Sequence, residues 1–364
     1  MRPVAAATWA EHAHLLNPGG QYASGRRANA VFAQARETVA ELLGADPVEV
    51  IFTASGTEAD NLALRGFARA PGARIVSTPI EHPAVRETVT DLEQRGAKVD
   101  LLPVGNDGRV TITKALDIPA AVATCMWANN ETGAIQPVED LIARASAVGT
   151  PVHIDAVQVV GHLPVEFHAL GATTLAASAH KFGGPRGAGI LLAQRSPAPA
   201  AVLTGGGQQR GIRPGTVDVA SAAATAAALK EAVAEMEAEA RRLSQLRDQL
   251  VATVTATIED AHATVLGSDL PVLPGHAHFT FPGANGDAMI MLLDSHGIEA
   301  STGSACNNGV NQRSHVLEAM GLPADHADGA LRFTLGRTTT QADIARLVAV
   351  LPQVIEKARA VATI

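Results

Sequence analysis

Cysteine is scarce in this chain: its 364 residues include only two, Cys125 and Cys306, which lie far apart. Neither belongs to a CxxC motif or to a cluster of metal-ligating residues, so the sequence argues against a disulfide framework and predicts no metal site. Cys125 lies in the apolar run AVATCMWA and is predicted to be a buried core residue. Cys306 lies in STGSACNNG, whose small and flexible residues cannot pack around a thiol, and this makes it a candidate for chemistry.

Aromatic residues and basic clusters are also rare. Phe, Trp and Tyr make up 3% of the chain, and 28 Lys and Arg against 36 Asp and Glu give a formal net charge of −8. The sequence has no Lys/Arg-rich run to follow a phosphate backbone and few rings to stack on bases, so binding to DNA or RNA is not expected. The negative charge mainly favours solubility.

Long apolar stretches are missing as well. The first residues, MRPVAAATWAEHAHLLNPGG, lack the continuous hydrophobic segment of a signal peptide, and no run approaches the length of a membrane span. The sequence therefore predicts a cytoplasmic protein with no membrane contact.

The chain does contain a regular alternation of strand-like and helix-like segments. VIFT, RIVSTP, AVATCMWA, PVHIDA and TTLAAS are strand-like, and helical patterns separate most of them. This alternation predicts an α/β fold with a large domain built on a mostly parallel sheet. Ligands of such sheets bind at the carboxyl ends of the strands, so residues that follow these segments are candidates for a site.

The second half of the chain predicts a change of domain. An Ala-rich, charged pattern without Pro or Gly runs from Val219 to about Asp260 and predicts one long helix that leaves the large domain. We assign residues 1–20 to an N-terminal segment, 21–240 to a large domain and 241–364 to a small α/β domain. The small domain contains the strand-like segments HAHFTFP and LRFTLGR.

Two motifs at strand ends offer groups for binding an anion and a cation. In SGTEADN, Gly56 and Thr57 either begin a helix whose free N–H groups hold a phosphate, or Thr57 and Asp60 form an ordinary first turn. In IDAVQ, Asp155 closes a strand, where its carboxylate either pairs with a protonated ring nitrogen or caps a helix.

Two further motifs contain a lysine and a histidine. In SAHKFGGPRGAG, Lys181 follows a strand beside hydroxyl and imidazole groups, and is either a covalent cofactor ligand or a solvated surface lysine. In IEHPAV, His82 begins a helix and is either catalytic or structural. Together the motifs provide an amine, a carboxylate for a ring nitrogen and a phosphate cradle. This combination predicts pyridoxal 5′-phosphate as the cofactor.

Eight motifs occur here in the order in which cysteine desulfurases have them, and they span nearly the whole chain. They are SGTEADNLAL, EHPAV, ANNETGAIQPV, HIDAVQ, SAHKFGGPRGAG, GIRPGT, STGSAC and LRFTLGR. The chain therefore resembles the NifS- and IscS-like cysteine desulfurases, which are fold-type I pyridoxal-phosphate enzymes of the aminotransferase class V family.

The resemblance implies a reaction and a role for each matching residue. Family members convert L-cysteine to L-alanine and leave the sulfur as a persulfide on an enzyme cysteine, which is Cys306 here. Lys181 would bind the cofactor covalently, and His82 would stack on its ring and help to move protons. Asp155 would pair with the ring nitrogen and Gln158 with the ring hydroxyl.

The resemblance also implies ligands for the phosphate and the substrate. The phosphate ligands implied are Gly56, Thr57, Ser178, His180 and, from a partner subunit, Thr216. A homodimer is therefore implied. Asn130 and Arg332 would hold the substrate carboxylate, with Asn130 also near the cofactor, and the guanidinium suits a bidentate grip.

The segment CNNGVNQRSHVL resembles the long cysteine loop of one family type, which passes sulfur directly to scaffold proteins and tRNA-thiolation partners. A sulfur-acceptor protein is therefore an expected partner, with iron–sulfur cluster assembly among the pathways. The sequence departs from the family pattern at Ala179 and at Asn307–Gly309. Family members also begin with a strand that residues 1–20 are expected to lack.

Two alternatives remain beside a cysteine desulfurase. One is a selenocysteine lyase or another cysteine C–S lyase, which would keep the cofactor and change the substrate. The other is a catalytically impaired sulfur-relay partner that keeps the fold alone.

Overall fold

The computed structural model describes residues 1–265, 271–303 and 313–362, so the predicted nucleophile Cys306 lies outside the described residues. The helices are α1 (Pro3–His12), α2 (Ala23–Leu43), α3 (Gly56–Phe67), α4 (Pro83–Gln94), α5 (Val138–Ala147), α6 (Phe167–Leu170), α7 (Val219–Thr257), α8 (Gly286–Ser295), α9 (His315–Ala319), α10 (Ala324–Asp328) and α11 (Gln341–Ala362). The strands are β1 (Val50–Thr53), β2 (Arg74–Ser77), β3 (Lys98–Leu101), β4 (Val122–Met126), β5 (Val152–Asp155), β6 (Thr174–Ser178), β7 (Gly189–Ala193), β8 (His262–Ala263), β9 (His276–Thr280) and β10 (Ala330–Thr334).

These elements form two compact units. The first comprises Met1–Leu102, Ile112–Trp127 and Pro137–Met236, and the second comprises Pro103–Thr111, Ala128–Gln136 and Glu237–Ile364. The last change of unit lies close to the domain boundary that the sequence predicts at residue 240. The two short earlier segments of the second unit have no counterpart in the predicted division, because a linear pattern does not say which later residues a loop will contact.

The first unit is built on a seven-stranded sheet in the order β1-β7-β6-β5-β4-β2-β3. The five strands from β2 to β6 run parallel, whereas β7 pairs antiparallel with both β6 and β1. This confirms the predicted mostly parallel sheet. Every residue of β4, β5, β6 and β7 is buried, as expected for strands covered on both faces. The parallel strands therefore end at one common edge, where Asp155 and Ser178 are the last residues of β5 and β6.

Two local features of the first unit match the sequence pattern. Cys125 is 1% exposed on β4, as the apolar run around it predicts. Helix α7 begins at Val219 and continues for 39 residues, which agrees with the predicted long helix. Its alanines at 222, 224 and 228 are buried, because small side chains let the helix approach its neighbours closely.

The second unit contains a three-stranded antiparallel sheet in the order β10-β9-β8. Side chains alternate between its two faces. One face packs with α8 and α11 into an apolar core that includes Ala277, Phe279, Leu331 and Phe333. The alternate residues of the same two strands are polar or cationic and include His276, His278, Thr280 and Arg332. The face that carries Arg332 is therefore distinct from the face that builds the core.

Among the helices in the described part of the chain, none combines the length and the apolar character that a membrane crossing requires.

Candidate active site

Lys181 lies in a single 3-10 turn that directly follows β6. Gly183 ends this turn with a φ of 88°, a left-handed conformation that favours glycine. The Lys181 side chain is exposed, and its backbone carbonyl accepts a hydrogen bond from His162 Nε2 at 3.0 Å. Ser178 Oγ and His180 Nδ1 lie 2.9 Å apart in the same turn. The side chain of Lys181 is thus exposed, while the backbone of the turn is held by hydrogen bonds.

Arg2 holds the backbone that follows Lys181, and no sequence motif predicted this. Its backbone N–H donates to the carbonyl of Gly183 at 2.7 Å, and its Nε donates to the carbonyl of Phe182 at 3.1 Å. Nη1 pairs with Glu235 of α7 at 2.7 Å, and the arginine is 9% exposed. A Cβ on Gly183 would lie 2.6 Å from Arg2 Cγ, so the close approach also requires glycine.

Asp155 ends β5 and is 5% exposed. Its Oδ1 accepts a hydrogen bond from Val157 N at 2.9 Å. Burial raises the pKa of the Asp155 carboxyl, while the Val157 N–H, His82 and Lys181 each act to lower that pKa. The fold therefore brings together the carboxylate, the histidine and the lysine that the sequence selected from three separate motifs.

His82 is the N-cap residue of α4, where its Nδ1 accepts a hydrogen bond from Ala84 N at 3.1 Å. Burial lowers the pKa of His82; Asp155 raises this pKa and Lys181 lowers it further. The ring is thus neutral near neutral pH. Because Nδ1 is the acceptor, the proton of the neutral ring lies on Nε2. The helix cap in this way fixes which nitrogen can exchange a proton.

Gly56 and Thr57 form the first turn of α3, whose N-cap Ser55 accepts a hydrogen bond from Glu58 N at 3.1 Å. Thr57 is exposed. A Cβ on Gly56 would lie 2.7 Å from Val157 Cγ2 and 3.4 Å from Ser178 Cβ, so this helix end packs directly against the ends of β5 and β6. The predicted phosphate ligands Gly56 and Ser178 are therefore neighbours, and free helix N–H groups lie beside them.

Gln158 and Thr216 complete the predicted residues of the first unit. Gln158 is half-buried in the turn that follows β5. Thr216 is exposed in the irregular segment between β7 and α7. Among the described residues of the first unit, Thr216 forms no hydrogen bond with the other predicted phosphate ligands.

A buried histidine–carboxyl pair lies beneath Asp155 and was missed by sequence reasoning. His153 Nε2 lies 3.1 Å from Asp60 Oδ1, and its Nδ1 lies 2.9 Å from Thr174 Oγ1. Burial lowers the pKa of His153 to about 3 and raises that of Asp60 well above its usual range. The available signal was a histidine two residues before Asp155 in an apolar strand, because residues i and i+2 share one face.

Glu81 is a second buried acid that no motif analysis selected. Its Oε1 accepts hydrogen bonds from Thr78 Oγ1 at 2.9 Å and from Met126 N at 3.1 Å. Burial and the charge of Asp155 raise its pKa to about 8. The protein thus holds Glu81 protonated at neutral pH, and the cost of placing a second charge near Asp155 is avoided.

Substituting Glu81 with glutamine is expected to stabilise the protein at alkaline pH. The pKa of Glu81 is raised by folding from 4.5 to about 8, so the stability that its proton contributes is complete below pH 4.5 and is lost as pH rises through 8. Glutamine stays neutral and keeps the accepting oxygen. The gain over wild type should therefore grow across this window to about 5 kcal/mol, as measured by urea unfolding at pH 4.5 and at pH 8.

Glu87→Gln on the exposed side of α4 is the matched control for this measurement. A stability difference between Glu81→Gln and wild type that stays constant across the window would contradict a protonated Glu81.

Arg332 and Asn130, the predicted substrate ligands, meet in the second unit. Arg332 lies on β10, and its Nη1 donates to the backbone carbonyl of Asn130 at 2.7 Å. Its backbone N–H donates to Ser301 O at 2.6 Å, and its carbonyl accepts from Ser301 N at 3.2 Å. Burial lowers the pKa of Arg332 and Glu131 raises it. Ser314, which begins α9, donates to Glu131 Oε2.

Comparison with known proteins identifies the family to which the chain belongs. The family model for aminotransferase class-V matches residues 3–347. An IscS-like cysteine desulfurase of Mycobacterium tuberculosis is 46% identical over 356 residues, which cover 94% of this chain and 90% of that protein. A solved NifS-like protein superposes with a TM-score of 0.89 at 32% identity, covering 98% of this chain and 96% of the other. A structure of SspA in complex with cysteine has a TM-score of 0.79 at 27% identity, covering 92% and 95%.

The family model covers most of the chain, so the chain belongs to the aminotransferase class V family, whose members are pyridoxal-phosphate-dependent enzymes. Within the family, it is a cysteine desulfurase of the IscS/NifS type.

Proposed function

We propose that this enzyme converts L-cysteine to L-alanine, that the sulfur is left as a persulfide on Cys306, and that an acceptor protein then receives it. The observation that carries the proposal is the grouping of Lys181, Asp155 and His82 at the carboxyl edge of the parallel sheet. Each of these residues acts electrostatically on the others there, although they come from separate parts of the chain.

The residues at this edge fit pyridoxal 5′-phosphate. Lys181 is exposed and carries the amine proposed for covalent attachment, and the buried carboxylate of Asp155 suits a protonated ring nitrogen. Gly56, Thr57, Ser178 and His180 are the proposed phosphate ligands, with Gln158 for the ring hydroxyl. When bound, the cofactor withdraws electrons from the α-carbon of an amino acid and thereby labilises its proton.

Lys181 and His82 are the proposed proton carriers. The Lys181 amine would remove a proton from the α-carbon of the substrate, and the backbone contacts of Arg2 and His162 hold its turn in place. His82 keeps Nδ1 engaged with Ala84, so only Nε2 exchanges protons. A neutral imidazole is able to donate the Nε2 proton and then recover it.

Arg332 and Asn130 are the proposed ligands of the substrate carboxylate. One guanidinium nitrogen, Nη1, is held by the carbonyl of Asn130, and this orients the remaining N–H groups before substrate binds. Preorganised Arg–carboxylate pairs are strong because two donors meet two acceptors. The cysteine complex of SspA supports cysteine as the ligand.

Cys306 is the proposed sulfur acceptor within the chain. Its thiolate attacks the substrate sulfur, a sulfur–sulfur bond forms, and the carbon–sulfur bond of the substrate breaks. The electrons of the broken bond remain on the former β-carbon, which gains a proton, so that cysteine plus enzyme thiol become alanine plus enzyme persulfide. No external oxidant or reductant is required for this step.

We also propose a homodimer in which Thr216 reaches the phosphate site of the partner, as well as a cytoplasmic location. The exposed position of Thr216 supports the first point, because a residue that serves another subunit must be accessible in the single chain. A sulfur-acceptor protein, such as a cluster scaffold or a thiolation partner, would complete the cycle.

Incubation of the cofactor-loaded enzyme with L-cysteine and a thiol reductant is expected to yield alanine and sulfide in equal amounts. The ratio follows from the atom balance, because the reductant releases each persulfide sulfur as sulfide. Alanine measured by chromatography and sulfide measured colorimetrically test this. The proposal fails if neither product forms, and a catalytically impaired relay protein would then be favoured.

A parallel assay with selenocysteine separates the desulfurase from the lyase alternative. We expect the higher specificity constant for L-cysteine; the reverse order would assign the enzyme to selenocysteine.

A further inference from the structure

His278 and Arg332 are partners across two neighbouring strands. The antiparallel register of β9 and β10 pairs Arg332 with His278, so the two side chains leave the sheet on the same face. Arg332 also lies close enough to His278 for its charge to lower the histidine pKa. The histidine is 1% exposed. A second polar group therefore lies beside the arginine to which we assign the substrate carboxylate.

Both side chains have a buried nitrogen that is not hydrogen-bonded. Within residues 1–265, 271–303 and 313–362, neither Arg332 Nε nor His278 Nε2 has a hydrogen-bond partner. An unsatisfied buried polar group costs about 1–3 kcal/mol, and proteins rarely leave two of them side by side. Two such groups on one face of the sheet are explained when a polar ligand binds both of them.

Each of these two side chains also has one nitrogen that is already hydrogen-bonded. Nη1 of Arg332 donates to the carbonyl of Asn130, and His278 Nδ1 lies 2.6 Å from Thr264 Oγ1. If the Thr264 hydroxyl donates to Nδ1, the proton of a neutral ring lies on Nε2. Burial, together with Arg332, lowers the pKa of His278 to about 3, so the ring is neutral at any working pH. The two unsatisfied nitrogens are then both N–H donors.

We propose that His278 is a specificity-determining residue, whose Nε2–H joins the Nε–H of Arg332 in binding the carboxylate of the amino-acid substrate. The proposal rests on the function assigned to Arg332 above and adds a second donor to it. A neutral donor contributes a hydrogen bond without a second positive charge, and Thr264 serves to fix the tautomer. The two donors would thus select substrates that carry a carboxylate on the same carbon as the reacting amino group.

Two substitutions of His278 test the roles of its two ring nitrogens separately. In His278→Gln the terminal amide nitrogen occupies the place of Nε2, whereas in His278→Asn the shorter amide replaces only Nδ1 and its contact with Thr264. His326→Asn is the control, because its Nδ1 also pairs with a threonine, Thr280 at 3.1 Å, away from the Arg332 register position. Binding of L-alanine, the proposed product, to each holoenzyme is measured by calorimetry, with L-alaninamide as the ligand that lacks a carboxylate.

The Asn variant is expected to bind L-alanine about tenfold more weakly than wild type, since a hydrogen bond to a charged group is lost. The Gln variant and the His326→Asn control should stay within about threefold of wild type, and L-alaninamide should bind all four proteins similarly. With L-cysteine, the Asn variant should raise KM and leave kcat nearly unchanged.

Equal affinity of wild type and His278→Asn for L-alanine would overturn the proposal. A loss that affects L-alaninamide equally, or one that His326→Asn reproduces, would also overturn it, because the effect would then be structural. These binding measurements need no turnover. A wild-type enzyme that binds L-alanine but forms no alanine from L-cysteine would therefore refute the proposed reaction alone.

Discussion

Lys181→Ala is expected to reduce the formation of alanine from L-cysteine by at least about 10³-fold and to remove covalently bound cofactor from the purified protein. The exposed amine at the end of β6 is both the proposed attachment point and the proposed base, so a single change removes two roles. Visible absorbance after gel filtration and the mass of the borohydride-reduced protein measure cofactor attachment; an alanine assay measures turnover.

Lys230→Ala, at an exposed position of α7, is the control for loss of a positive charge. It should keep both the cofactor and the activity of wild type. Lys181→Arg keeps the charge of the side chain and lacks a nucleophilic amine, so it should behave like the alanine variant. Substantial turnover by Lys181→Arg would mean that another residue attaches the cofactor.

Cys306→Ser is expected to abolish persulfide formation on the chain and to lower sulfur transfer to an acceptor by about 10³-fold or more, because a serine hydroxyl cannot replace a thiolate nucleophile. A loss of persulfide can be assigned to Cys306 directly, since Cys125 is the only other cysteine of the sequence. Persulfide is detected by mass spectrometry after a single exposure to L-cysteine, followed by alkylation.

Cys125→Ala is the matched control, and it should leave persulfide formation unchanged. Burial raises the pKa of the Cys125 thiol well above its usual range, and the thiol donates to the carbonyl of Met126 at 3.2 Å. It is therefore held as an unreactive thiol in the core. Persulfide found on Cys125, or full sulfur transfer by Cys306→Ser, would show that Cys306 is not the nucleophile.

The sequence predicted the large sheet well because strand and helix patterns alternate along it without interruption. The strands β4 to β7 are buried on both faces and mainly apolar, and these are the segments with the clearest pattern. Asp155 is the last residue of β5 and Lys181 lies in the turn after β6, so their placement at strand ends could be inferred from position alone.

Arg2, Glu81 and His153 were not predicted as parts of the site, and the reason differs for each. Arg2 contacts the turn after Lys181 across almost half of the chain, and a contact so distant leaves no local pattern. Glu81 and His153 are titratable residues whose burial depends on how strands and helices pack. Only after packing does burial raise one pKa to about 8 and lower the other to about 3.

The sequence by itself determined the parallel α/β framework and the family, and it selected the lysine, carboxylate, histidine, arginine and cysteine that we propose for the site. The framework follows from short-range patterns, because strand ends, helix caps and turns are built from neighbouring residues. The roles of the arginine and the cysteine are those that the resemblance to the family implies. Only the tertiary structure decided that Glu81 is protonated, that Arg2 donates a hydrogen bond to the turn that contains Lys181, and that His278 lies opposite Arg332. Desolvation and strand register act between residues that are distant in sequence, and they exist only once the chain is packed.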